Sequence, residues 1–257
     1  MSHTANRRIP LTLVSHLFAA ALLASGLPVF AQNGADIPRP APSSYEALYE
    51  ARAVGMRSTA WRRLTRSDDG SYQLEHGLSA SVLGANLITV EESSRFRWDE
   101  GGAVPLEYHY KQSGVRRRSE QVVFDYEQGL ALMKREDREN SVALEQRILD
   151  DLSFSAQLSA DLLADPSLQA TDTVLSYPIV DARRLETHEY RVMGQETIST
   201  GAGELEAIKL ERIRDAGSDR STVLWLAPAN QFTLARLMQI ENGSTMELTL
   251  TEISWQD

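Results

Sequence analysis

The chain has 257 residues, with 26 Lys and Arg against 36 Asp and Glu, a formal net charge of −10, five histidines and no cysteine. That balance repels phosphate backbones and anionic headgroups, so no nucleic-acid partner is expected. The missing thiols exclude disulfides, cysteine nucleophiles and a lipid anchor on an N-terminal cysteine, while the length suits one sizeable core.

In "MSHTANRR", Arg7 and Arg8 precede an apolar run from Ile9 to Phe30 that holds no acidic residue. Val29 and Ala31 are the small residues a signal peptidase accepts, so residues 1–31 are expected to be a signal peptide cleaved between Ala31 and Gln32. Gly26 and Pro28 break the run and argue against a retained membrane helix. The mature protein is expected to be periplasmic and soluble, with no stable membrane anchor after cleavage. "QNGADIPRPAPSS", residues 32–44, reads as a Pro-rich, flexible lead-in. Residues 45–257 read as a single β domain.

From Tyr45 the dominant period is two. "YEALYEARA" places Tyr45, Ala47, Tyr49, Ala51 and Ala53 on one face, with Glu46, Glu50 and Arg52 on the other. "TMELTLTEI" repeats the pattern, Met246, Leu248 and Leu250 opposing Glu247, Thr249 and Thr251. A strand with one buried and one wetted face requires such alternation. Similar stretches are expected near 57–66, 71–80, 85–98, 104–112, 116–126, 129–135, 172–180, 184–193, 204–214, 220–227 and 232–241. Turn signals such as Asp68-Asp69-Gly70 and Asn242-Gly243 separate many of them. Short connections mean antiparallel neighbours, and a sheet of many long twisted strands must curl or split. The expected fold is mainly β: a curved antiparallel meander, as a half-barrel or open barrel, with one amphipathic helix near 152–165.

That helix is "DDLSFSAQLSADLLADP". Phe154, Leu158 and Leu162 recur at four-residue spacing, Ser153 is placed to cap, and Pro166 stops the run. Asp150 and Asp151 stand where the helix dipole favours negative charge. The apolar stripe is expected to cover the open face of the curved sheet.

Signals for chemistry fail one by one. His76, His109 and His188 have no i+3 or i+4 histidine partner, and "HEYRV" puts Val192 where a zinc-protease motif needs its second histidine. "GLSAS" lacks the second glycine of a nucleophile elbow and runs into a strand. "GAGELE" is a hairpin turn without the helix N-terminus of a phosphate cradle. The pairs Asp68-Asp69, Glu91-Glu92, Asp99-Glu100 and Asp150-Asp151 are adjacent in sequence, whereas acid–base work needs carboxylates facing across a cleft. "RRR" at 116–118, with Arg95 and Arg97, reads as a solvated hairpin before it reads as an anion site. No catalytic residue, metal ligand or cofactor is expected.

"LWLAPANQFTLARLMQIENG", residues 224–243, is the most unusual stretch. Leu224, Trp225, Leu226, Phe232, Leu234, Leu237 and Ile240 cannot share one side of a period-two pair, so both faces of this hairpin carry apolar groups. In a half-barrel one of those faces lines the concavity. Trp225, Phe154, Leu158 and Phe232 are therefore the candidate ligand-binding residues.

The chain resembles the exported bacterial proteins grouped as domain of unknown function 3108. The likeness covers roughly residues 45–254. It rests on "YEALYEARAVGMRSTAWRRL", "ESSRFRWDEGGAVPLEYHYK", "DDLSFSAQL", "YRVMGQETISTGAGELEAIKLER" and "LWLAPANQFTLARLMQIENG". The resemblance implies a curved antiparallel half-barrel, similar to the periplasmic carriers that ferry lipoproteins to the outer membrane. It brings no established activity and no catalytic residues. The carriers plug their half-barrel with several helices, where this chain shows one. The expected function is non-enzymatic binding of an apolar, lipid-like ligand or of an envelope protein. The alternatives are a filled-core interaction module and an envelope glycan or lipid hydrolase.

Overall fold

The computed structural model describes residues 37–53, 56–82, 85–114 and 117–256. The expected signal peptide, the Ala31–Gln32 bond and residues 32–36 lie outside the described residues.

The period-two pattern becomes fourteen antiparallel strands. The first half comprises β1 (Tyr45–Ala53), β2 (Met56–Arg66), β3 (Tyr72–Val82), β4 (Ala85–Asp99), β5 (Gly102–Gly114), β6 (Arg118–Asp125), β7 (Leu130–Arg135) and β8 (Arg138–Ala143). A helix, α1 (Ser153–Ala164), follows. The second half comprises β9 (Val174–Val180), β10 (Leu185–Thr200), β11 (Gly203–Ile213), β12 (Ser221–Ala227), β13 (Thr233–Glu241) and β14 (Ser244–Trp255). The sheet order is β8-β7-β6-β5-β4-β3-β2-β1-β14-β13-β12-β11-β10-β9. Sequence neighbours pair as hairpins, β1 pairs with β14, and the sheet is split between β8 and β9. The segment that crosses the split carries α1.

Laid flat, fourteen strands at about 4.8 Å spacing would span roughly 60 Å. A 12-residue helix reaches only about 18 Å. Residues from β1 through β7 and from β9 through β12 nevertheless join α1 in one buried cluster. The sheet therefore curls round the helix as a half-barrel that does not close. Arg183, just past β9, comes within 3.8 Å of Glu120 on β6, which draws the two halves together.

Period two alone did not reveal β8. Its "RENSVA" is exposed except at Val142 and carries no alternation, and it sits at a sheet edge where charged residues discourage further pairing. β10 runs to Thr200, past the expected end at 193, because its distal half and that of β11 form a long hairpin. The hairpin tip bonds β14, Gly201 N donating to Leu250 O (2.9 Å).

The helix starts at Ser153, but Asp150 does the capping. Its Oδ1 accepts from Leu152 N (2.9 Å) and Ser153 N (2.8 Å), and Ser94 Oγ donates to its Oδ2 (2.7 Å). Burial reaches beyond the Phe154–Leu158–Leu162 stripe to Gln157 and Asp161, since the sheet surrounds the helix on several sides. Of the lead-in, residues 37–44 are held in place. Arg39 is buried, its N donates to Glu100 O (2.9 Å), and its carbonyl accepts from Trp98 Nε1 (3.1 Å).

Candidate functional site

Three sets of hydrogen bonds position α1. Ala103 N donates to Gln157 Oε1 (2.8 Å), and Gln157 Nε2 donates to Gly101 O (3.1 Å). Gly102 between them has φ +110°, and a Cβ there would stand 2.0 Å from Gln157 Oε1, so only glycine lets the helix approach this closely. Towards β9, Asp161 accepts from Arg39 Nε (2.7 Å) and from the Tyr177 hydroxyl (2.9 Å). Towards β13, Ser159 Oγ donates to Phe232 O (3.0 Å).

Between α1 and the β12–β13 hairpin the packing leaves a cavity of about 190 Å³. Phe154 and Leu158 wall it from the helix, Leu224 and Leu226 from β12, and Phe232 and Leu234 from the turn and β13. Leu163 and Trp255, which also border it, are large apolar residues left 39% and 38% exposed, beside the exposed hydrogen bond from Gln231 to Ser43.

The turn that presents Phe232 is strained. After a short 3-10 turn at Pro228–Asn230, Gln231 and Phe232 both adopt left-handed backbone, with φ 51° and 55°. Such a conformation costs a non-glycine residue about 1–3 kcal/mol and persists only where surroundings enforce it. Here Gln231 N bonds Pro228 O (3.2 Å), Phe232 N bonds Ala227 O (2.9 Å), and Ser159 holds the Phe232 carbonyl. The result turns the Phe232 ring inward, 4% exposed.

Three of the four residues singled out from sequence, Phe154, Leu158 and Phe232, thus meet at one cavity. Trp225 does not join them. It alternates with Leu224 and Leu226, so its ring lies on the outer face of the sheet. There it is buried with Ile198, Ala207, Val223, Ala227 and Ala235 under the β10–β11 hairpin. Its Nε1 donates to Glu196 (2.6 Å), and Lys209 and Arg236 sit over its ring. Both faces of the hairpin are apolar for two separate reasons: one borders the cavity, the other is a small outer core.

Two charged residues, Arg62 and Asp151, also line the cavity. Asp151 is exposed to water, and the Glu92 and Asp181 carboxyls near it raise its pKa. Burial raises Glu92 to about 7, against the Arg62 charge and a hydrogen bond from Tyr108. Burial and then Arg62 push His76 down to about 4. Sequence reasoning passed over Arg62 as one polar residue in an alternating strand. The signal was available, because Ala60 and Leu64 flank it at i±2 and mark its face as the buried one.

Of the arginine run at 116–118, Arg116 lies outside the described residues. Arg118 is engaged with Glu120 through two 2.6 Å bonds and lies over Tyr110. Among the described residues no group of three or more His, Asp or Glu is placed to hold a metal, and no helix is long and apolar enough to cross a membrane.

A split antiparallel half-barrel wrapped round one helix, with an apolar cavity beside that helix, is the class these features define. The chain belongs to the family described as protein of unknown function DUF3108, which matches residues 45–251. A comparison with curated proteins gives no match. Among solved structures the chain is similar to a β-barrel-like protein of domain of unknown function DUF1849 from Brucella abortus. That likeness has TM-score 0.55 and 10% identity, over 84% of this chain and 98% of that one. Weaker likenesses reach the MucA/MucB complex of Pseudomonas aeruginosa, with TM-score 0.36, 12% identity, and 84% and 53% of the two chains covered. A Bacteroides fragilis protein with a YmcC-like fold gives TM-score 0.34 and 12% identity over 85% and 99%.

Proposed function

We propose that the protein is an exported, non-enzymatic component of the cell envelope that binds an apolar, lipid-like group between α1 and the β12–β13 hairpin. The signal peptide expected over residues 1–31 supports a periplasmic location. The observation that carries the reading is the cavity: about 190 Å³ is left open beside α1, walled mostly by apolar side chains of the helix and of the β12–β13 hairpin. Apolar cavities of about 150 Å³ stay dry and take up small apolar molecules. The strained Gln231–Phe232 turn supports the reading, because strain of this kind gathers where a ligand is clamped.

The neutral dye N-phenyl-1-naphthylamine tests it. Fluorescence should rise on mixing with the protein, and Leu226→Trp, which fills the cavity, should suppress the rise while the protein stays folded. A wild-type protein that leaves the dye dark would overturn the reading in favour of a filled-core module that binds an envelope protein.

A further inference from the structure

Two arginines are buried in the described protein, Arg39 at 7% and Arg62 at 8% exposure. Their surroundings differ. Arg39 lies 2.7 Å from the Asp161 carboxylate. Arg62, on β2 between Ala47 of β1 and His76 of β3, has no carboxylate within ion-pair distance among the described residues. One Nη donates to the Ser155 hydroxyl, and Nε is buried without a hydrogen-bond partner. A buried guanidinium left so incompletely matched is costly, and anions answer it best. Arg62 also borders the apolar cavity, next to Leu64 and Leu74.

We infer that Arg62 is the head-group site of this cavity, and that the ligand is a single-chain amphiphile whose alkyl tail lies against Phe154, Leu226 and Phe232 and whose anionic oxygen head meets Arg62. The inference rests on the cavity being a binding site and adds the chemistry at Arg62. The volume suits part of one chain, since a cavity only slightly smaller accommodates a molecule of benzene size. A planar guanidinium donates to two oxygens at once, which matches a carboxylate or a phosphate. The nearby Glu92 is pushed up to about 7 by burial, so it opposes a bound anion less than an ordinary carboxylate would, and Asp151 is exposed to water, which weakens its repulsion.

Isothermal titration below the micelle threshold, with dodecanoate, dodecyl phosphate and dodecanol, tests the head group at constant tail. Wild type should bind at least one of the two anions ten or more times tighter than the alcohol, and the tighter anion shows which head the site takes. Arg62→Gln should abolish that preference by weakening anion binding tenfold or more, with the alcohol unaffected and the melting temperature maintained or raised. Arg62→Lys should keep the anion preference at lower affinity, because the charge remains and the planar fork is lost. Equal affinities of wild type for the anions and the alcohol, or an undiminished preference in Arg62→Gln, would overturn the role of Arg62 while leaving the apolar cavity standing. If none of the three binds, the cavity reading falls as well.

Discussion

Arg39 and Asp161 form a buried ion pair, Nε to Oδ1 at 2.7 Å, that ties the segment before β1 to the middle of α1. Both side chains are almost wholly enclosed, and Asp161 also accepts from the Tyr177 hydroxyl and from Gln157 Nε2. Removing the Asp161 carboxylate takes a buried counter-charge from Arg39 and an acceptor from Tyr177 and Gln157, a loss that costs about 3–5 kcal/mol. Asp161→Ala is therefore expected to lose that much stability in urea denaturation. The double variant Arg39→Met, Asp161→Leu should recover part of it, since two apolar groups replace both members of the buried pair.

Trp225 should behave as a structural residue. Its ring is 4% exposed and packed under the β10–β11 hairpin on the outer face. Trp225→Ala is expected to cost about 3–5 kcal/mol, as emptying a packed aromatic site does. Binding of N-phenyl-1-naphthylamine, measured at a temperature where the variant is folded, should match wild type.

Gln231 tests the strain in the turn. With φ 51° it takes a backbone that glycine adopts without penalty, and it loses only a 3.2 Å side-chain bond to Ser43 when replaced. Gln231→Gly should keep or raise the melting temperature, by up to about 4 °C for a domain of this size. A clear fall would show that the turn is not strained.

The pH dependence of Glu92 has a definite sign. Its ordinary value is 4.5 and burial raises it to about 7 in the folded protein. Between those values the folded state holds the proton more tightly than the unfolded one, so the contribution of Glu92 to stability falls as pH rises and is flat above about 7. His76, pushed down to about 4, acts in the opposite direction below 6.5, so wild type alone does not separate the two. The difference in melting temperature between Glu92→Gln and wild type does. It should grow in favour of the variant from pH 4.5 to 7 and then level off.

Most strands were legible because alternation of apolar and polar residues is local, as in Tyr45–Ala53 and Met246–Thr251. The edge strand β8 was not, because only Val142 of its six residues packs against the core. The helix was legible from Phe154, Leu158 and Leu162, but Asp150 rather than Ser153 caps it, and that choice depends on Ser94, 56 residues away on β4. Arg39 read as part of a mobile lead-in because its partner is 122 residues further on. Phe154, Leu158 and Phe232, grouped from sequence, all stand on the cavity wall, and their role in binding is the proposal made above. The face taken by Trp225 was not legible, since period two says that it opposes Leu224 and Leu226 without saying which side is inward. Pairing of β12 with β13 and α1 on the concave side decide that.

The most direct test of the cavity is nuclear Overhauser contact between a bound, isotopically labelled dodecyl chain and assigned side chains of the protein. Contacts from the chain to Leu158, Leu226 and Phe232, with none to Trp225, are the expected result. A bound chain that contacts Trp225 or the outer face and leaves Leu158 untouched would contradict it, and so would a chain that makes no contact at all.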